Sequence, residues 1–146
     1  MKWVNGNYWL TDDNTDIDIG TVHKFLSEES YWSKGIPLEL LSISLSNSLC
    51  FSLHTGSLQV GFARIISDYA TIAYLGDVFI LNDYRGNGLS KWMMDCIVDH
   101  PKLQGLRRWI LATSNAHGLY SKYKFTPLVR PEIFMERLDT SVYQKQ

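Results

Sequence analysis

The stretch Asn82-Asp83-Tyr84-Arg85-Gly86-Asn87-Gly88-Leu89-Ser90, continuing into Lys91-Trp92-Met93-Met94-Asp95-Cys96-Ile97, decides the reading of this chain. A β-like run, Thr71 to Leu81, leads into it. Leu89, Trp92, Met93, Cys96 and Ile97 recur at helical spacing and form one apolar stripe. The order is therefore strand, basic glycine turn, helix. Such a turn offers unpaired main-chain N–H groups at the positive end of a helix dipole, a setting that suits a phosphate or pyrophosphate. Gly86 and Gly88 permit positive φ and close approach of an anion, and Arg85 adds a permanent positive charge. An ordinary strand–helix connection, shaped by its glycines alone, also fits this much of the pattern.

The turn matches neither of the two best-known phosphate loops. A P-loop needs Gly-x-x-x-x-Gly-Lys-Ser/Thr, and the dinucleotide fingerprint needs a third glycine and a later acidic residue. Arg85-Gly86-Asn87-Gly88-Leu89-Ser90 instead resembles motif A of the GNAT superfamily, the acyl-CoA-dependent N-acyltransferases, whose pattern is Gln/Arg-x-x-Gly-x-Gly/Ala. Ser90 departs at the last position but is still small. A second block, Asn115-Ala116-His117-Gly118-Leu119-Tyr120-Ser121-Lys122-Tyr123-Lys124-Phe125, resembles the family's later segment. There an Asn opens a short helix and a Leu/Phe-Tyr pair precedes Gly-Phe. Lys124 stands where the family has glycine. The two blocks are in the family's order, and the resemblance spans roughly residues 3–138.

That resemblance implies an α/β (α+β) fold: a mixed central sheet with an antiparallel N-terminal meander and a splayed parallel pair, flanked by helices, in a single domain over residues 1–146. It implies acetyl-CoA as acyl donor and no metal. It implies that main-chain groups from Arg85, Gly86, Asn87, Gly88, Leu89 and Ser90 hold the pyrophosphate, that Val78, Phe79 and Ile80 run beside the pantetheine, and that Asn115 touches the coenzyme. Tyr120 falls on the family's catalytic tyrosine, the proton donor to the departing thiolate. Asp77, on the strand just before the thioester position, is the candidate base, directly or through water, with His117 as second choice. Asn115 has helix capping as an equally good physical reason. The implied reaction moves the acetyl group to a primary amine by direct attack, the acceptor being a small molecule or a protein or peptide amine. The alternative is a CoA-binding sensor or interaction module without turnover.

Composition narrows the classes. With 146 residues, 45% apolar and 20% charged, the chain can bury a core without staples. A net charge of −1 gives no basic footprint for nucleic acid. Residues 1–6 are polar too early for a signal peptide, and no apolar run reaches membrane-spanning length, so a cytoplasmic protein is expected. Cys50 and Cys96 lie in apolar contexts without metal-ligand spacing and read as buried small hydrophobes.

Along the chain, Asn7–Thr11 reads as a first strand and residues 16–28 as a helix capped by Asp16 or Asp18. Ser30 to Ile36 is an aromatic-rich loop whose Tyr31 and Trp32, with Tyr8, Trp9 and Tyr74, suggest an aromatic-lined pocket. For residues 38–46 the apolar spacing fits helix and strand alike; the resemblance favours helix, with a strand over Leu49–Leu53. Thr55-Gly56-Ser57 turns into a strand over 58–66, and Ser67-Asp68-Tyr69 turns again. Pro101 stops the central helix, 106–113 is a strand parallel to its predecessor, and Ile133–Leu138 reads as a last strand. An exposed edge strand or this C-terminal segment offers a route to a homodimer.

Overall fold

The computed structural model describes residues 1–144, so residues 145 and 146 of the expected domain lie outside it. The strands β1 (Lys2–Asn5), β2 (Tyr8–Thr11), β3 (Leu49–Thr55), β4 (Leu58–Ser67), β5 (Ile72–Ile80) and β6 (Arg108–Leu111) form one sheet in sequence order. Each neighbour pairs antiparallel except β5 and β6, which are parallel. A parallel pair needs a crossover, supplied by α3 (Leu89–Val98). Helices α1 (Ile19–Lys24) and α2 (Leu38–Ser46) precede β3, and α4 (His117–Ser121) follows β6. This is the expected fold class.

The two faces of the sheet carry separate cores. On one, Leu89, Met93, Met94, Cys96 and Ile97 of α3 pack on Phe51, Leu53, Ile65, Ala73, Leu75 and Ile80. On the other, Val22 and Leu41 from α1 and α2, with Leu45, Phe25 and Leu26, pack on Cys50, Phe62 and Phe79. Each such side chain contributes roughly 1.5–3 kcal/mol on full burial. Both cysteines are buried and unpaired with each other. Burial pushes the Cys50 thiol up to about 12 and the Cys96 thiol up to about 11, which keeps both as inert thiols.

One irregularity in β5 organises the rest. Gly76 pairs with Arg64 and Phe79 with Phe62, so two residues, Asp77 and Val78, oppose the single Ala63. This is a β-bulge, and Asp77 takes φ +54° to make it. Side chains alternate across a strand, so one extra residue reverses every face that follows. Ala73 and Leu75 accordingly face α3, whereas Phe79 faces α1 and α2. Beyond the bulge β6 no longer follows β5, because their pairing covers only Ile72–Leu75 against Arg108–Leu111. The parallel pair thus parts at the bulge.

Three expectations need correction. A strand Lys2–Asn5 precedes the expected first one, joined to it by the two-residue turn Gly6-Asn7 with Gly6 at φ +61°; that Gly-Asn pair is the hairpin signal that marks it. The helix over 16–28 is shorter and changes type. Asp18 caps it by accepting from the Thr21 N–H, α1 spans Ile19–Lys24, and Phe25–Glu29 continues as a π-type turn. The last strand over Ile133–Leu138 is absent. Pro131 opens a 3-10 turn, Pro131–Ile133, and Phe134 lies against the Arg108 guanidinium at 5.0 Å instead of joining β6. Met135 is 97% exposed, so the apolar run there corresponds to no buried face.

Candidate functional site

The glycine turn sits at the end of β5, where the parallel pair has parted. After a 3-10 turn over Asn82–Tyr84, Gly86 and Gly88 take φ +82° and +72°. A Cβ at either would meet nothing within 4 Å, so the glycines are required by backbone handedness, not by crowding. Gly88 is the N-cap of α3 and brings no side chain to cap it. Among the described residues none accepts from the N–H groups of Gly86, Asn87, Gly88, Leu89 or Ser90. These donors surround a cleft of about 230 Å³ lined by Ile80, Tyr84, Arg85, Gly86, Gly88, Leu89, Ser90, Lys91 and Leu119. The chemistry fits a diphosphate: converging donors at the start of a ten-residue helix, with no carboxylate in the lining.

Side chains in the turn mostly hold the turn itself. Arg85 Nε donates to the Ile80 carbonyl at 2.9 Å, tying the loop to the end of β5, and the side chain is otherwise exposed. Asn87 Nδ2 donates to the Tyr84 carbonyl at 3.1 Å. Leu89 is buried in the core, so only its main chain faces the cleft region. A larger groove of about 840 Å³ lies at the far end of β6, around Arg107, Trp109, Phe125 and Phe134. It contains none of the candidate site residues.

Tyr120 on α4 is buried, with its ring edge-on to Phe125 at 6.0 Å, and its hydroxyl has no hydrogen-bond partner among the described residues. Burial, with Tyr31 close by, pushes its phenol up to about 12. The phenol therefore stays protonated at any ordinary pH. Asn115 does not cap α4: its side chain is exposed and makes no hydrogen bond among the described residues, whereas the Thr113 hydroxyl accepts from the Ala116 N–H at 3.1 Å. His117 is exposed in the first turn. Lys124 takes φ +70°, so the left-handed turn that glycine would favour is kept with a lysine in it.

Asp77 is where sequence reasoning fell short. The bulge turns its carboxylate toward the α1–α2 face, where Arg64 Nε donates to Oδ2 at 2.7 Å and Trp32 Nε1 to Oδ1 at 2.9 Å. Arg64 also reaches the Ser48 hydroxyl at 3.2 Å. Neither partner was foreseen. The signal for Arg64 was present: it and Asp77 are lone opposite charges in two apolar runs joined by a short turn, nearly opposite in hairpin register. Phe25 stacks on Phe79 at 4.0 Å and meets Trp32 at 6.4 Å. An aromatic wall thus runs from the bulge outward.

A family description, "Acetyltransferase (GNAT) domain", matches residues 46–127, from the end of α2 past α4. The chain belongs to the GNAT family of acetyltransferases. A Gibberella zeae protein named "Putative acetyltransferase FG08082" is 31% identical over 144 residues, covering 84% of this chain and 80% of that one. The crystal structure of a GNAT-family protein from Xanthomonas campestris pv. campestris is 51% identical, with a TM-score of 0.91 over 93% of this chain and 96% of that chain. A Clostridium acetobutylicum structure with acetyl-CoA shares the fold at 18% identity and a TM-score of 0.66, over 94% and 96% of the two chains. Tyr31 and Trp32 precede the matched segment, whereas Arg64, Asp77, the glycine turn and Tyr120 lie inside it. Among the described residues no helix is long and apolar enough to cross a membrane.

Proposed function

We propose that this GNAT protein transfers the acetyl group of acetyl-CoA to a primary amine by direct attack, with both substrates held at once in the single domain. The observation that carries this is the set of free N–H groups at 86–90, set at the end of β5 where β6 has parted from it; the unpartnered hydroxyl of Tyr120 is the proton donor in this reading. When bound, acetyl-CoA supplies an activated thioester. The N–H groups of residues 86 to 90 grip its pyrophosphate (the Arg85 N–H is already bonded to the Asn82 carbonyl at 3.3 Å), and the main chain of Val78, Phe79 and Ile80, unpaired by β6, runs beside the pantetheine. Asn115 is exposed at the start of α4, free to reach the coenzyme.

Of the two main-chain donors near the thioester, Val78 and Phe79, Val78 lies in the bulge outside the β4 ladder and is the better placed to polarise the thioester oxygen, Phe79 being paired with Phe62. As the amine nitrogen bonds to the acetyl carbon and the C–S bond breaks, Tyr120 gives its proton to the sulfur. With the phenol near 12 and a free thiol near 8.5, that transfer is uphill by about 5 kcal/mol in isolation. The same dry surroundings raise the thiol as well and narrow the gap. Asp77 collects the proton of the amine through water. Arg64 and Trp32 use one lone pair on each carboxylate oxygen, leaving others for that water or for the amine itself.

The test is thiol release from acetyl-CoA with a panel of primary amines, for wild type and Tyr120→Phe. Release that depends on an amine and collapses in the variant, with acetyl-CoA still bound, supports the reading. Binding of acetyl-CoA without release for any amine assigns the protein to non-catalytic coenzyme binding.

A further inference from the structure

The segment between α1 and α2 is a loop by secondary structure but not a loose one. Ser30 and Ser33 are buried. Ser30 Oγ donates to the Leu26 carbonyl at 2.6 Å and accepts from the Ser33 N–H at 3.0 Å. Gly35 N–H donates to the Ser27 carbonyl at 2.9 Å, and His23 Nε2 lies 2.9 Å from the Ile36 carbonyl. Two aromatic side chains project from this stapled frame. Trp32 is fixed to β5 through Asp77, and Tyr31 meets the Trp32 ring edge-on at 4.9 Å.

Tyr31 then reaches across the gap. Its hydroxyl accepts from the Ser114 N–H at 3.1 Å, on the connection from β6 to α4. It is near enough to Tyr120 to contribute to the rise of that phenol. The chain Arg64–Asp77–Trp32–Tyr31–Ser114 therefore runs from the bulge to the connection after β6, and it touches both candidate groups: Trp32 is bonded to Asp77, and Tyr31 lies near Tyr120. Tyr31 is nevertheless 62% exposed, so one side of the clasp faces the entering acceptor.

We infer that Tyr31 and Trp32 form a clasp across the acceptor entrance and that it admits small, free cationic amines in preference to protein or peptide amines. This rests on the acetyltransferase reading above and names its substrate class. A lysine or N-terminus within a polypeptide carries main chain that needs an open groove on both sides of the reacting nitrogen, and the Tyr31–Ser114 bridge closes that groove. A small amine enters end-on, its charge against the aromatic faces and the Asp77 carboxylate. Tyr31 is a specificity-determining and positioning residue.

Wild type, Tyr31→Phe and Tyr31→Ala are compared for thiol release with small primary amines (arylalkylamines, polyamines, aminoglycosides, amino acids) and with a decapeptide carrying one lysine and a free N-terminus. Acetyl-CoA affinity is measured in parallel as a control for folding. In wild type the best small amine exceeds the peptide in kcat/KM by at least about tenfold. Tyr31→Phe, which loses only the bridge, raises KM for that amine with kcat nearly unchanged. Tyr31→Ala shrinks the gap between amine and peptide, and acetyl-CoA binds all three alike. Peptide turnover equal to or above that of every small amine in wild type, or an unchanged gap in Tyr31→Ala, overturns the inference and leaves the acetyltransferase reading standing. No release with any amine or peptide, despite bound acetyl-CoA, sinks the acetyltransferase reading itself and this inference with it.

Discussion

In the proposed reaction, the coenzyme side and the acceptor side of the site are built from different materials. On the coenzyme side the work falls to main-chain groups, the N–H donors of residues 86–90 and the unpaired edge of β5, with positive φ at two glycines to aim them. On the acceptor side it falls to side chains drawn from distant elements: Tyr31 and Trp32 before α2, Arg64 on β4, Asp77 on β5. A main-chain cradle is generic, because any diphosphate satisfies it and few residue types can form it. Side-chain contacts are particular, since each exchange alters what fits. The family match, residues 46–127, takes in the whole coenzyme side with Arg64 and Asp77, and leaves Tyr31 and Trp32 outside.

The division gives separable predictions. The largest effect is expected at Tyr120, the proposed proton donor between the two sides. Tyr120→Phe lowers kcat by about 10²–10³-fold with acetyl-CoA affinity unchanged, measured by single-turnover thiol release and calorimetry. Because burial holds the phenol near 12, the donor stays protonated as pH rises, and wild-type kcat shows no loss from its ionisation below about pH 11. Gly88→Val forces a branched side chain into φ +72° and weakens acetyl-CoA binding at least about tenfold, while amine KM is unmoved. Movement of amine KM by that variant would erase the distinction between the two sides.

On the acceptor side, Asp77→Asn lowers kcat by roughly tenfold and leaves acetyl-CoA affinity intact. Arg64→Gln leaves the same carboxylate largely buried without its cation and reduces stability by about 2 kcal/mol in urea unfolding. The smallest effect is at Lys124, held at φ +70°. Lys124→Gly relieves that strain and raises stability by up to about 1 kcal/mol, or about 2–4 °C in Tm, without altering turnover.

What was legible in the sequence follows the same division. Arg85 to Ser90 and Asn115 to Phe125 are local patterns, and local patterns carry glycine spacing, helix entry and the position of Tyr120. The meander was legible because each hairpin is short. The Asp77 bulge was not, because a single extra residue shows only in cross-strand register. The link from Trp32 to Asp77 joins residues 45 apart in sequence, and that from Tyr31 to Ser114 residues 83 apart. The expected strand at 133–138 misled for the opposite reason: its apolar run Ile133-Phe134-Met135 was real, but Pro131 and the Phe134–Arg108 contact take the segment away from the edge of β6.

The most direct test of the coenzyme placement is a titration of the ¹⁵N-labelled chain with acetyl-CoA, following backbone amide resonances. The largest shifts are expected at Gly86 to Ser90, with a second group at Val78, Phe79 and Ile80 and little change at Arg107 and Trp109 beside the larger groove. Shifts centred on that groove, with residues 86–90 unmoved, would contradict it.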